Sequence, residues 1–193
     1  MSIGSKGKIL HVAREQFYRS GFLATSVDDI IDRAKVSKSN FYYHFKSKED
    51  LGLAVLDTRC NEFENAIACT LCNDEFSPIG KLKAFLEIIT EIEAHHATGG
   101  CPFGNLVAEM SEHSERFRTA LSNMFCRLCG ILAEVIADGQ QYGEIRTGID
   151  PETAGLLIVQ TIQGANLLQK CHRTHTTNGK TYNLMLTLLK TAN

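Results

Sequence analysis

Residues 37–48 read Ser37-Lys38-Ser39-Asn40-Phe41-Tyr42-Tyr43-His44-Phe45-Lys46-Ser47-Lys48. On a helix, Phe41 and Phe45 stand four apart and share one face. Lys38, Ser39, Tyr42 and His44 then fall mostly elsewhere, on surface that water or a polyanion must satisfy. These types suit nucleic-acid chemistry. Lys38 can reach a guanine edge or a phosphate. Ser39 and Asn40 are short donors that let a helix approach closely. Tyr42 can meet thymine methyls or donate to phosphate. Tyr43, His44 and Lys48 can hold the backbone, Lys48 with help from the N-terminus of the helix it opens. Thr25, Ser26 and Ser37 offer hydroxyls at helix starts and complete the candidate DNA-binding set. Taken singly, each of these residues is equally well read as solvated surface. The arrangement as a whole points to DNA.

The cysteines are the second source of chemistry. There are seven, an odd number, so secretory disulfides do not account for them all. Cys101 stands just before Pro102, at the start of an expected short helix. A helix N-terminus lowers a thiol's pKa, and a nearby cation such as Lys170, His95 or His96 adds to the effect. The alternative is a buried thiol acting as a small apolar residue. Cys69-x-x-Cys72 and Cys126-x-x-Cys129 have the local spacing of metal pairs. They lie 53 residues apart, too far for a zinc ribbon, and both fall on expected helices. Core packing is the preferred reading, and no metal is expected. Cys60 and Cys171 read as core or surface fillers. His95-His96 ends a helix, where histidine is favourable without any ligand role.

The elements that position these residues are helices. Ile9, Val12, Ala13 and Phe17 give residues 5–20 one apolar face, and Gly21 supplies a stop. Ser26 caps 27–34, which buries Val27, Ile30, Ile31 and Ala34. After a short turn at Lys35-Val36, Ser37 caps 38–44 and Ser47 caps a long helix over 48–70. Further helices are expected over 79–96, 103–110, 114–141, 151–172 and 180–191. Asp150-Pro151 gives a strong start signal, N-cap followed by proline at the first helical position. No segment alternates with period two, so the expected class is all-α. Residues 1–50 would form a three-helix helix-turn-helix domain, and 51–193 a helical ligand-binding and dimerisation domain.

Charge is uneven. Residues 1–50 hold nine Lys/Arg and six Asp/Glu, a net +3, and the remainder holds eleven and sixteen, a net −5. A basic end on an acidic body suits a polyanion-binding module, although so small a difference also arises by chance. The opening MSIGSKGKIL lacks the apolar core of a signal peptide. No apolar run approaches the roughly eighteen residues that span a bilayer. The expectation is a cytoplasmic protein with no membrane partner.

The stretch from Gly21-Phe22-Leu23-Ala24-Thr25-Ser26 to Ile30, and that from Phe41-Tyr42-Tyr43-His44-Phe45 to Lys48-Glu49-Asp50-Leu51, closely resemble the DNA-binding signature of the TetR family. The match covers about a quarter of the chain. It implies a homodimeric transcriptional regulator, one recognition helix per half-site of a palindromic operator in double-stranded DNA, and a small-molecule pocket in the second half. Many members carry glycine where Ser39 stands. The run Gly99-Gly100-Cys101-Pro102-Phe103-Gly104-Asn105-Leu106, with Gly164-Ala165-Asn166-Leu167 and Lys170, resembles a TetR subgroup that includes the N-ethylmaleimide-responsive repressor. That likeness nominates Cys101, Phe103, Asn105 and Lys170 as sensor residues. It also favours 114–141 and 151–172 as a four-helix dimer interface. Their seam would be Leu156, Leu157, Val159, Ile162, Ala165 and Leu168, with Gly155 and Gly164 admitting a partner helix; the residues alone leave a purely internal core equally open.

The sequence shows no G-x-S-x-G, phosphate-binding loop or H-E-x-x-H. An enzyme with a nucleophilic cysteine is therefore the weaker alternative, and no cofactor is expected. Repressor and activator are not separated by the residues, and neither is a regulator with a vestigial pocket.

Overall fold

The computed structural model describes residues 4–95, 100–172 and 178–191. Among them are nine helices, α1 (Ser5–Ser20), α2 (Val27–Ala34), α3 (Lys38–His44), α4 (Lys48–Cys69), α5 (Pro78–His95), α6 (Pro102–Met110), α7 (Glu115–Gln141), α8 (Pro151–His172) and α9 (Gly179–Leu189). Every expected helix is present, with ends shifted by two residues at most. Two of the shifted starts have one cause. All three prolines, Pro78, Pro102 and Pro151, occupy a first helical position, where a missing N–H costs nothing and the fixed φ suits the helix.

The chain divides into two compact units, residues 1–62 with 102–119, and residues 63–101 with 120–193. A single cut at residue 50 does not describe this division. The first unit keeps most of α4 and also takes α6 and the start of α7.

In the first unit, α1, α2 and α3 pack on one another. Gly21 closes α1 at φ +89°, its N–H donating to the Phe17 carbonyl. Ser26 and Asp29 form a reciprocal capping box at α2, which satisfies two otherwise unpaired N–H groups. The α2–α3 turn passes through Lys35 at φ 53°, a left-handed setting uncommon outside glycine. Ser37 then accepts the Asn40 N–H at 3.2 Å and starts α3. Gly52 of α4 is enforced by packing. A Cβ there would fall 2.4 Å from the Phe22 ring and 2.7 Å from that of Phe117.

The second unit is a helical core. Leu82 and Phe85 of α5, Leu132 and Ile136 of α7, Ile158 of α8 and Tyr182 of α9 are all buried in it. Helix α7 contains an eighteen-residue stretch of mean hydropathy 1.5, long and apolar enough by composition to cross a membrane; this departs from the sequence expectation. Its side chains Leu128, Leu132, Val135 and Ile136 are buried in the core of the second unit. Gly155 lets α8 approach α7 within the same chain, since a Cβ would sit 2.8 Å from the Cys129 carbonyl oxygen. The expected α8 seam splits in two. Val159 and Ile162 are buried, whereas Leu156, Leu157 and Leu168 are exposed.

Candidate DNA-reading face and thiol site

Helix α3 presents two faces. Phe41 and Phe45 are buried, their ring centroids 6.1 Å apart, as the four-residue spacing requires. Lys38, Ser39, Tyr42 and Tyr43 are exposed. Tyr43 leaves 82% of its surface to solvent and stacks edge-on against His44 at 4.9 Å. Lys38 Nζ lies 3.4 Å from Asp28 Oδ1, a loose surface pair that a phosphate can displace. Ser37 Oγ lies 3.0 Å from Ser39 Oγ. Asn40 is half-buried, and its Oδ1 is buried without a hydrogen-bond partner among the described residues.

Besides Ser37, which caps α3, three of the nominated residues have internal work. Thr25 is buried, and its hydroxyl donates to the Gly21 carbonyl at 2.8 Å. Ser26 is committed to its capping box. Lys48 Nζ donates to the carbonyls of Phe22 (2.9 Å), Leu23 (3.3 Å) and Thr25 (2.9 Å). It also lies 4.7 Å from the Phe22 ring centroid. Burial pulls the Lys48 ammonium below its ordinary pKa, and the Glu109 charge acts in the opposite direction.

In the second unit, Cys101 is half-buried and accepts a hydrogen bond from Gln163 Nε2 at 3.5 Å. The Lys170 stem covers the neighbouring Gly100, where a Cβ would meet Lys170 Cδ at 3.3 Å. Below lies a buried polar group that sequence reading did not assemble. Glu93 of α5 accepts from Tyr182 Oη at 2.5 Å, Asn166 Nδ2 at 2.8 Å and Asn178 Nδ2 at 3.1 Å. Burial pushes the Glu93 carboxyl up in pKa, and the three donors oppose it. Tyr182 is likewise pushed up, by burial first, then by its bond to Glu93, with Cys101 adding to the shift. Glu93 is one of three glutamates, with Glu87 and Glu91, on α5, and no local signal singled it out; its partners lie up to 89 residues away.

The sensor candidates are divided between the two units. Cys101 and Lys170 belong to the second unit, Phe103 and Asn105 to the first. Phe103 is buried, and Asn105 lines a small cleft with Tyr18, Arg59 and Glu109. The His95 side chain and His96 lie outside the described residues. The expectation that the paired cysteines pack in the core is corrected. Cys69, which ends α4, and Cys72, in the turn after it, are both exposed, and on α7 Cys126 is exposed and Cys129 half-buried. Cys60 is half-buried and Cys171 exposed.

A capped three-helix domain whose third helix turns polar and aromatic side chains outward defines a helix-turn-helix DNA-binding regulator. Residues 9–55 match the family described as bacterial regulatory proteins, tetR family, and residues 78–185 match the tetracyclin repressor-like C-terminal domain. The chain belongs to the TetR family of transcriptional regulators. It is 33% identical over 170 residues to an uncharacterized HTH-type transcriptional regulator from Lactococcus lactis subsp. lactis, covering 86% of this chain and 83% of that one. The HTH-type transcriptional repressor DhaR of Mycobacterium sp. is 31% identical, with 81% and 78% covered. Among solved structures, the reduced form of NemR from E. coli superposes with a TM-score of 0.86 at 21% identity, covering 97% and 98% of the chains. At that identity the likeness speaks for the fold.

Proposed function

We propose that this regulator is a cytoplasmic, homodimeric repressor that binds a palindromic operator and leaves it when a small molecule acts on its second half. In this reading residues 1–50 read DNA and 51–193 bind the inducer and the partner copy. The observation that carries the proposal is the α3 surface. Lys38, Ser39, Tyr42 and Tyr43 are exposed around a buried Phe41–Phe45 spine. Side chains so placed can contact base edges and phosphates without disturbing the fold. Thr25, Ser26, Ser37 and Lys48 act behind them, as caps and braces that hold α2 and α3.

The inducer class is a thiol-reactive electrophile that the Cys101 thiolate attacks, its sulfur donating the electron pair of the new bond. Support comes from the position of Cys101 immediately before α6 and from the Gln163 amide that donates to its sulfur at 3.5 Å. Lys170 lies on the adjoining surface at Gly100. The dimer is supported by a leucine surface. Leu156, Leu157, Leu167 and Leu168 of α8 and Leu184 and Leu188 of α9 are all exposed. The exposed residues of α7 are mostly polar, Ser122, Asn123, Arg127 and Glu134 among them. The second interface helix is therefore α9, in place of the α7 expected from sequence. No catalytic role is assigned to any residue.

Binding to the intergenic DNA flanking the gene, at two salt concentrations and with or without N-ethylmaleimide, tests the reading. Salt-sensitive, specific binding lost on treatment in the wild type and retained in Cys101→Ser is the expected result. Binding insensitive to the electrophile removes the thiol reading. No specific binding removes the repressor itself.

A further inference from the structure

The α1–α2 turn, residues 21–26, is held from two sides by opposite charges. Lys48, at the start of α4, takes its carbonyls, those of Phe22, Leu23 and Thr25. Glu109, near the end of α6, takes an amide. Its Oε2 accepts the Leu23 N–H at 3.0 Å, across 86 residues of sequence. The same carboxylate fills the space beside Gly21, where a Cβ would lie 2.6 Å from Glu109 Oε1. The Phe22 ring is wedged between Phe17 at 4.9 Å and Phe117 at 5.2 Å. A second clasp lies next to the first. Ser114 donates to Glu49, and Arg116 Nη1 lies 2.9 Å from Asp50 and 3.4 Å from Glu49, both in the first turn of α4. Ser26, which ends the turn, caps α2, and α2 packs on α3.

We propose that Glu109 is a positioning residue for operator reading. Through the Leu23 amide it fixes the α1–α2 turn, and through that turn the setting of α2 and α3. The proposal rests on the operator-binding reading above. An ionised acceptor on a backbone N–H is stronger than a neutral one and has a defined direction, so its loss loosens the turn without emptying a core. Glu109 lies about two turns into α6.

The test compares wild type with Glu109→Ala, Glu109→Gln and Glu109→Asp. Three quantities are read, namely affinity for the flanking intergenic duplex, affinity for a scrambled duplex of equal length, and hydrogen exchange at the Leu23 amide. Alanine is expected to weaken the flanking duplex about tenfold, the scale of one lost charge-assisted bond. Scrambled-duplex binding, which is mostly phosphate attraction, stays unchanged, and Leu23 exchanges faster. Glutamine keeps an oxygen for the amide and recovers most of the selectivity; aspartate is too short and behaves as alanine does. Unchanged selectivity, equal loss on both duplexes, or unchanged Leu23 exchange overturns the proposal. If the alanine variant does not fold, the glutamine–aspartate contrast decides, and equal selectivity in the two overturns it. A wild type that does not distinguish the duplexes overturns the operator reading, and Leu23 exchange then judges the Glu109 contact by itself.

Discussion

Lys38 and Lys48 stand ten residues apart in a segment where sequence reading gave both a phosphate. Lys38 lies on the surface beside Asp28, and Lys48 is folded under the α1–α2 turn with three carbonyls around it. Their alanine variants should therefore fail in different ways. Lys38→Ala is expected to lower operator affinity about tenfold and reduce the salt slope if its contact is a phosphate, with an unchanged melting temperature. Lys48→Ala should cost about 1–3 kcal/mol of folding stability, since it leaves three carbonyls short of a donor; calorimetry separates the two. Charge and spacing marked both lysines as notable. Which one turns inward depends on the path of the 21–26 turn, which the sequence around Lys48 does not encode. Glu93 gives a pH prediction. Its folded pKa is raised above the unfolded value, so the folded state binds more protons between the two. That contribution to stability is present below the unfolded pKa and is lost as pH rises through the folded one. Glu93→Gln should abolish this loss. A wild-type-minus-variant stability curve that stays flat above the ordinary carboxylate range would contradict it.

At the scale of elements, the caps were the legible part. Ser26 with Asp29, Ser37, Ser47 and Asp150 each accept the N–H three residues on, as the sequence pattern requires. Close approaches between helices were less legible, because a glycine does not name its neighbour. Gly155 was read as room for a partner chain. It is room for α7 of the same chain, with the Cys129 carbonyl oxygen 2.8 Å from where a Cβ would lie. Gly155→Ala must push two backbones apart and is expected to destabilise the second unit by about 1–3 kcal/mol. Gly164→Ala meets nothing within 4 Å in the chain and should leave the unfolding of this unit unchanged or slightly raise its midpoint. Denaturant unfolding of both variants checks the contrast.

At the scale of the molecule, the exposed leucines of α8 and α9 stand apart from the buried core of the second unit. Periodicity identified the apolar stripe of α8 but could not divide it between Val159 and Ile162, which turn inward, and Leu156, Leu157 and Leu168, which do not. Leu168→Glu is expected to shift the sedimenting species from dimer to monomer at micromolar concentration, with helicity retained. A dimer that survives this change together with Leu184→Glu would place the interface elsewhere. The DNA-reading half was legible because its signature is local, lying within thirty-one residues from Gly21 to Leu51. Glu93 with Tyr182, and Glu109 with Leu23, are joined across 89 and 86 residues, distances over which only the fold brings partners together.

The end of α9 is stitched to the α7–α8 connection. Ile145 pairs with Lys190 in an antiparallel bridge, the Arg146 N–H donates to the Leu189 carbonyl, and the Thr191 N–H donates to that of Glu144. These contacts fix the C-terminal end of α9 to the α7–α8 connection. A surface shaped before it meets its mate loses little freedom in the meeting. The leucines of α8 and α9 would then associate as a rigid template, and cutting the stitch with a deletion from Lys190 onward would weaken self-association without touching a single residue on that surface.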